Sequence, residues 1–205
     1  MAIDSVLATS RFIPVLTIER PQDAVPLCTT LFEAGLPVLE ITLRTASALA
    51  AVEAAASVLP DAIIGVGTVL DAGDFGPALD AGAVFAVSPG LNMDLVEAAE
   101  DIGIDYLPGI QTSSEAMAAW REGVRSLKFF PAKVAGGTHG LKQLAPLYPG
   151  LSFCPTGGIS FDEAPAFLAE PNVACIGGSL ATPAKLVEAR DWRAIGALAK
   201  KAAAL

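Results

Sequence analysis

The chain has 205 residues, is 53% hydrophobic and only 17% charged, and carries a formal net charge of −9 at pH 7. This is enough apolar material for one large core. The acidic balance argues against a nucleic-acid partner, and no apolar run approaches the roughly 18 uninterrupted residues of a membrane span. The first segment, MAIDSVLATSRFIPVL, has an early aspartate and no basic leader. No secretory signal is expected there.

Short apolar or alternating runs then recur at residues 11–18, 38–44, 62–69, 83–90, 105–110, 126–132, 151–158 and 173–180. They predict strands. Helical patterns lie between them, for example at 21–35, 46–59, 92–103 and 113–123, and a last one closes the chain at 189–205. Pro21 marks a helix start, and Gly35, Gly103 and Gly123 mark helix stops. Strand–helix units of roughly 24 residues, repeated about eight times, predict an α/β fold with a parallel sheet closed into a (β/α)8 barrel. No G-x-G-x-x-G follows the first strand, as an open dinucleotide-binding sheet would require. Without a linker or low-complexity stretch, residues 1–205 are expected to form a single domain.

The cysteines, Cys28, Cys154 and Cys175, are odd in number, widely spaced and without a C-x-x-C. Neither zinc nor a disulfide framework is expected, and a reducing cytoplasm suits the chain. The single histidine, His139, falls in the glycine-rich AGGTHGLK and is expected on an exposed loop. One histidine supports neither a His-metal cluster nor a Ser-His-Asp triad.

In such a barrel the chemistry gathers at the C-terminal ends of the strands. The second strand, VLEITLR, alternates so that Leu39, Ile41 and Leu43 face the helices while Glu40, Thr42 and Arg44 face inward. A purely structural Glu40–Arg44 ion pair is one outcome of that placement. The third strand brings the Thr68 hydroxyl to the mouth, and the fourth ends in the rigid turn Ser88-Pro89-Gly90. The seventh and eighth end in PTGGIS and IGGS. Glycines there let backbone N–H groups approach an oxyanion, with the dipole of the following helix expected to assist. Gly157, Gly158, Gly177, Gly178 and Ser179 are therefore candidate phosphate ligands.

The sixth strand raises the sharpest question, because Lys128 stands in the apolar run VRSLKFFPAK. Lysine is rarely buried without a partner. Either this strand lies at an edge and Lys128 snorkels outward, or the amine is held inside for chemistry. Apolar surroundings and a second cation nearby would disfavour its ammonium form. A neutral amine attacks a ketone to form a Schiff base, and Glu40 supplies the acid and base such a reaction needs. A lysine, a glutamate, an arginine for a carboxylate and glycine turns for a phosphate together describe a phosphorylated 2-oxo acid as substrate. Two rivals remain on these residues. One is a phosphosugar isomerase or epimerase with Glu40 as proton shuttle, and the other is a barrel that only binds phosphometabolites.

The segments VLEITLRT, GVGTVL, FAVSPG, PGIQTSSE, KFFPA, FCPTGGIS and CIGGS, in that order, resemble the family of 2-keto-3-deoxy-6-phosphogluconate aldolases. That family includes the 4-hydroxy-2-oxoglutarate and ketodeoxyphosphogalactonate aldolases. The resemblance implies a metal-free class I aldolase on a (β/α)8 barrel, needing no cofactor and assembled as a homotrimer. It implies Lys128 as the Schiff-base lysine and Glu40 as general acid/base. Arg44, Thr68 and Pro89 would hold the pyruvate carboxylate, with Phe130 beside the reacting centre and Thr156 on substrate hydroxyls. Gly157, Gly158, Gly178 and Ser179 would hold the phosphate. The substrate implied is 2-dehydro-3-deoxy-6-phosphogluconate, split to pyruvate and glyceraldehyde 3-phosphate as in the Entner–Doudoroff pathway. The chain departs from the pattern at Lys133 and Gly140 and in GVGT, which leaves the catalytic set intact and bears on the choice of substrate.

Overall fold

A computed structural model describes residues 2–205. The chain opens with a helix absent from the sequence expectations, α1 (Ile3–Thr9), followed by β1 (Phe12–Leu16). A 3₁₀ turn at Pro21–Asp23 leads into α2 (Ala24–Glu33), then β2 (Val38–Thr42), α3 (Ala48–Val58) and β3 (Ile63–Gly67). Next come α4 (Phe75–Asp80), β4 (Phe85–Val87), α5 (Met93–Ile102), β5 (Asp105–Leu107) and β6 (Gly109–Ile110). The chain continues through α6 (Ser113–Arg121), β7 (Ser126–Phe129), α7 (Gly137–Leu144) and β8 (Ser152–Pro155). It ends with α8 (Ala164–Leu168), β9 (Ile176–Gly178), α9 (Ala184–Glu188) and α10 (Trp192–Ala203).

All strand pairs are parallel, in the order β5-β4-β3-β2-β1-β9 in one arc and β6-β7-β8 in another. The arcs meet at Pro108 and through bridges joining Phe153 to Val173 and Thr156 to Gly177, which completes the (β/α)8 barrel. The strand expected at 105–110 is thus two pieces. Pro108 has no amide hydrogen to give a ladder. β5 pairs with β4 on one side, and β6 pairs with β7 on the other, where the Pro108 carbonyl accepts the Lys128 N–H at 2.9 Å.

The period-two alternation sorts the side chains into two cores. Leu39 and Ile41 of β2, and Leu127 and Phe129 of β7, join the large apolar layer between sheet and helices. Inside the barrel a smaller cluster gathers Ile13, Val38, Phe85, Val87, Leu107, Cys154 and Cys175. Val6 and Leu7 of α1 pack onto this inner cluster and close the N-terminal end of the barrel. Asp4 of α1 accepts a hydrogen bond from the inward Ser126 hydroxyl. A helix this short is marginal by itself, so packing is what holds it.

The outer helices follow their sequence signals. Thr112 and Glu115 form a reciprocal capping box at the start of α6, and Asn92 caps α5. On α10, Ile195, Ala199 and Ala202 recur on one face and are fully buried, and α2 packs between α10 and α3. Buried Asp23 is gripped by Arg20 at 2.6 Å and Arg190 at 2.7 Å, which ties the start of α2 to the end of α9. His139 is exposed as expected but lies within α7 rather than in a loop.

Candidate active site

The inward face of β2 runs from Val38 in the apolar floor to Glu40 one layer up and Thr42 near the mouth. On β7 the same layers hold Ser126 and Lys128. Strand register therefore brings two residues far apart in sequence to one height. Lys128 Nζ stands 3.2 Å from Glu40 Oε1, with side-chain exposures of 5% and 6%. This is a buried ion pair whose charges stabilise each other where water reaches neither well.

The structure departs from two expectations here. Glu40 pairs with Lys128 and not with Arg44. Arg44 instead donates from Nε to the Thr68 hydroxyl at 2.9 Å. The charged neighbour of Lys128 is therefore an anion, where the sequence argument invoked a cation. Lys128 is on an interior strand, so the alternative of an edge lysine pointing outward is also set aside.

Above the pair lies a cleft of about 580 Å³ lined by Arg44, Lys128, Phe130, Thr156, Gly157 and Gly158, and by Gly178 and Ser179 across from them. Eight of the residues singled out in the sequence thus line one cleft. Glu40 joins them through Lys128, and Thr68 through Arg44. Pro89 sits in its turn at the same end of the barrel, and its carbonyl lies against Gly109, the residue in register with Lys128. Ser88 Oγ donates to the Gly90 carbonyl at 2.7 Å, and half-buried Tyr106 donates to Ser88 Oγ at 2.6 Å. Burial pushes the Tyr106 phenol up to about 12, so it stays a donor.

Two backbone features shape the site. Thr68 has φ 62°, a conformation a β-branched residue adopts only when its surroundings impose it. Its hydroxyl is held by Arg44, and the adjacent Val69 N–H bonds the Val87 carbonyl at 3.1 Å. Gly67 has to be glycine for a different reason. A Cβ at that position would collide with the Glu40 carboxylate, so its absence makes the room in which Glu40 lies.

At the far end of the cleft, Gly157 and Gly158 have φ 102° and 77°. The Phe130 ring lies 5.2 Å from Lys128 Nζ and packs where a side chain on Gly157 would sit. Gly177 does not join the phosphate candidates. It pairs with Ile13 in the barrel wall and is bridged to Thr156. The helices expected behind these turns are present but short. α8 and α9 have 5 residues each and begin at Ala164 and Ala184, with Pro183 at the start of α9 lining the cleft. Backbone amides and hydroxyls are what this end offers an anion.

Sequence reasoning missed Thr17 and Ser160, which also line the cleft. Thr17 Oγ1 lies 3.1 Å from the Thr42 hydroxyl. The sequence reading placed Thr17 inside a strand at 11–18, whereas β1 ends at Leu16 and leaves Thr17 just beyond it. Among the described residues, no group of three or more His, Cys, Asp or Glu side chains is arranged to hold a metal ion. The arrangement offers a nucleophilic amine, a carboxylate able to move protons, an arginine for one anion and a glycine turn for another.

Residues 3–198 match the family model described as KDPG and KHG aldolase. The chain is 42% identical over 200 residues to the 2-dehydro-3-deoxy-phosphogluconate aldolase of Pseudomonas aeruginosa, covering 98% of this chain and 91% of that one. A KDPG aldolase from Legionella pneumophila, solved with pyruvate captured at low pH as a covalent carbinolamine intermediate, superposes with TM-score 0.96 at 40% identity, covering 99% of this chain and 98% of that one. The 2-keto-3-deoxy-6-phosphogluconate aldolase of Zymomonas mobilis ZM4, solved with 3-phosphoglycerate, superposes with TM-score 0.93 at 42% identity over 98% of this chain and 95% of that one. With the model match and both structural likenesses spanning nearly the whole chain, this protein belongs to the KDPG and KHG aldolase family.

Proposed function

We propose that this chain is a class I aldolase that cleaves 2-dehydro-3-deoxy-6-phosphogluconate to pyruvate and glyceraldehyde 3-phosphate, with residues 1–205 working as one barrel domain. The observation that carries it is the buried Lys128–Glu40 pair at the base of the cleft. Lys128 passes its ammonium proton to Glu40, the free amine attacks the C2 ketone, and Glu40 takes up and returns the protons that turn the carbinolamine into a protonated imine with loss of water. The imine is the electron sink. Glu40 accepts the C4 hydroxyl proton, the C3–C4 bond breaks, and its electrons flow into the imine to leave an enamine. Glyceraldehyde 3-phosphate departs. Glu40 returns a proton to C3, and water releases pyruvate and the free amine. Acid–base assistance of this kind contributes about 10²–10⁴ in rate.

Arg44, oriented by Thr68, holds the substrate carboxylate beside the Pro89 turn. Phe130 packs against the reacting centre, and Thr156 meets the hydroxyls. Gly157, Gly158, Gly178 and Ser179 receive the phosphate. The pyruvate carbinolamine of the Legionella relative supports the covalent step, and the 3-phosphoglycerate of the Zymomonas relative supports an anion site of this size. No cofactor or metal enters, because the imine itself accepts the electrons. Among the described residues no helix is long and apolar enough to cross a membrane. The family resemblance supports a homotrimer in the cytoplasm, with small phosphorylated 2-oxo acids rather than macromolecules as partners.

Borohydride reduction with pyruvate, followed by mass mapping, tests the assignment. A pyruvyl adduct on Lys128 with loss of activity is expected. Labelling at Lys133 or Lys142 with Lys128 unmodified would overturn it. Comparing kcat/KM on 4-hydroxy-2-oxoglutarate and on the galactonate epimer then ranks the substrates, with the phosphogluconate aldol expected first.

A further inference from the structure

The cleft has an electrostatic gap. Its lining cations, Arg44 and Lys128, belong to the oxo-acid end, while the glycine turn faces a phosphoryl group carrying about −1.5 to −2 charge with amides and hydroxyls. The nearby carboxylate of Glu163 makes this worse. Its Oε2 accepts the Ser160 N–H at 2.9 Å and the Ser160 hydroxyl at 2.6 Å, and Ser160 lines the cleft. Lys133 answers that charge, with Nζ 2.8 Å from Glu163 Oε1.

The stem of Lys133 also lies against the phosphate turn. A Cβ on Gly158 would come 3.0 Å from Lys133 Cδ and 3.4 Å from its Cγ, so the lysine runs over the face of Gly158 where a side chain is missing. Its ammonium is one methylene beyond that contact. The pair is half in solvent, with exposures of 51% and 40%. Exposed pairs of this kind are weak and change partner easily.

Resting on the aldolase assignment above, we infer that Lys133 is a specificity-determining residue for the phosphate end of the site. In the free protein it neutralises Glu163 at the rim. When a phosphorylated substrate enters, its ammonium swings from Glu163 to the phosphate held over Gly157 and Gly158. The pair thus sets how strongly this chain prefers phosphorylated aldehydes to their unphosphorylated analogues.

The test is condensation of pyruvate with D-glyceraldehyde 3-phosphate or with D-glyceraldehyde, read as the ratio of the two KM values. Lys133→Gln is expected to shift the ratio against the phosphorylated aldehyde by about tenfold, the effect of ~1.4 kcal/mol. Lys133→Glu should shift it further, and Lys133→Arg should restore most of it. Glu163→Gln, which releases the lysine and removes a like charge, is expected to move the ratio severalfold the other way. The shifts should shrink as salt is added. A ratio unchanged in both Lys133→Gln and Lys133→Glu overturns the proposal, as does an equal rise in both KM values. The wild-type borohydride adduct at Lys128 separates the two levels. If it forms while the ratio stays fixed, only the role of Lys133 falls. If it does not form, the aldolase assignment falls first.

Discussion

Two lysine–glutamate pairs lie within one barrel mouth, and nearly everything except their chemistry differs. Lys128–Glu40 spans 3.2 Å with both side chains about one-twentieth exposed, and Lys133–Glu163 spans 2.8 Å with both close to half exposed. The shorter contact is the weaker commitment. Water screens the exposed pair and competes for each partner, whereas the buried charges have little else to satisfy them. Distance alone would have ranked the two pairs in the wrong order. The buried pair is suited to hold a nucleophile and pass it protons. The exposed one is suited to trade a carboxylate for a passing phosphate.

The largest expected contrast comes from breaking the buried pair. Lys128→Met should abolish cleavage and borohydride trapping together. Glu40→Gln should retain the fold but slow exchange of the pyruvate methyl protons by about 10²–10⁴. Native-rate exchange in that variant would remove Glu40 from the mechanism. Removing one partner of a buried pair costs up to about 3–5 kcal/mol, while replacing both is often neutral or stabilising. Glu40→Gln should therefore melt below the inactive double variant Lys128→Met with Glu40→Leu, in which both partners are apolar. The same neutralisations at Lys133 and Glu163 should shift the melting temperature only slightly.

A smaller effect comes from displacing one member without changing its chemistry. Gly67→Ala puts a methyl group into the Glu40 carboxylate, so the carboxylate has to move off Lys128. A misplacement near 1 Å costs on the order of 10² in rate. A fall in kcat of that order, with the pyruvyl adduct still forming, is expected. Wild-type kcat would show that the carboxylate position is not critical.

The smallest effect separates the pairs by pH. Hydrogen bonds from Lys133 and Ser160 lower the Glu163 carboxyl from an ordinary 4.5 to about 2. Because the folded value is the depressed one, its contribution to stability is present above about pH 4.5 and is lost as pH falls towards about 2. Solvent exposure keeps that contribution small. Carboxyl-carbon NMR should show Glu163 titrating near the bottom of this window and moving back towards 4.5 in Lys133→Gln. An ordinary titration in the wild type would dissolve the pair.

Much of this site was legible because strand alternation is local. The placement of Glu40 inside and Leu39 and Ile41 outside follows from a period of two over a few residues, and β2 obeys it. Lys128 was conspicuous for the same reason, as a cation out of keeping with its apolar neighbours. The glycine turns were legible as well, since Gly157 and Gly158 do take the positive φ that such turns use. The capping residues of α5 and α6 lie within a few positions of the helices they start, and local chemistry is what decides them.

What joined these pieces was not local. Glu40 and Lys128 are 88 residues apart, and only the stagger of β2 and β7 around the closed barrel decides that they meet and that Arg44 is left for Thr68. A repeating βα pattern specifies closure but not which inward side chains share a layer. The helix α1 was hidden because seven residues form no stable helix alone, and its Ile3, Val6 and Leu7 acquire meaning only against the barrel floor. The break at Pro108 and the shortness of α8 and α9 likewise depend on how neighbouring units pack. By itself the sequence determined the repeating units, the inward faces of the strands and the chemical repertoire, because these depend on period and composition. The tertiary structure alone decided which charge meets which and how much water each pair sees, because partner and burial are set by chain segments distant in sequence.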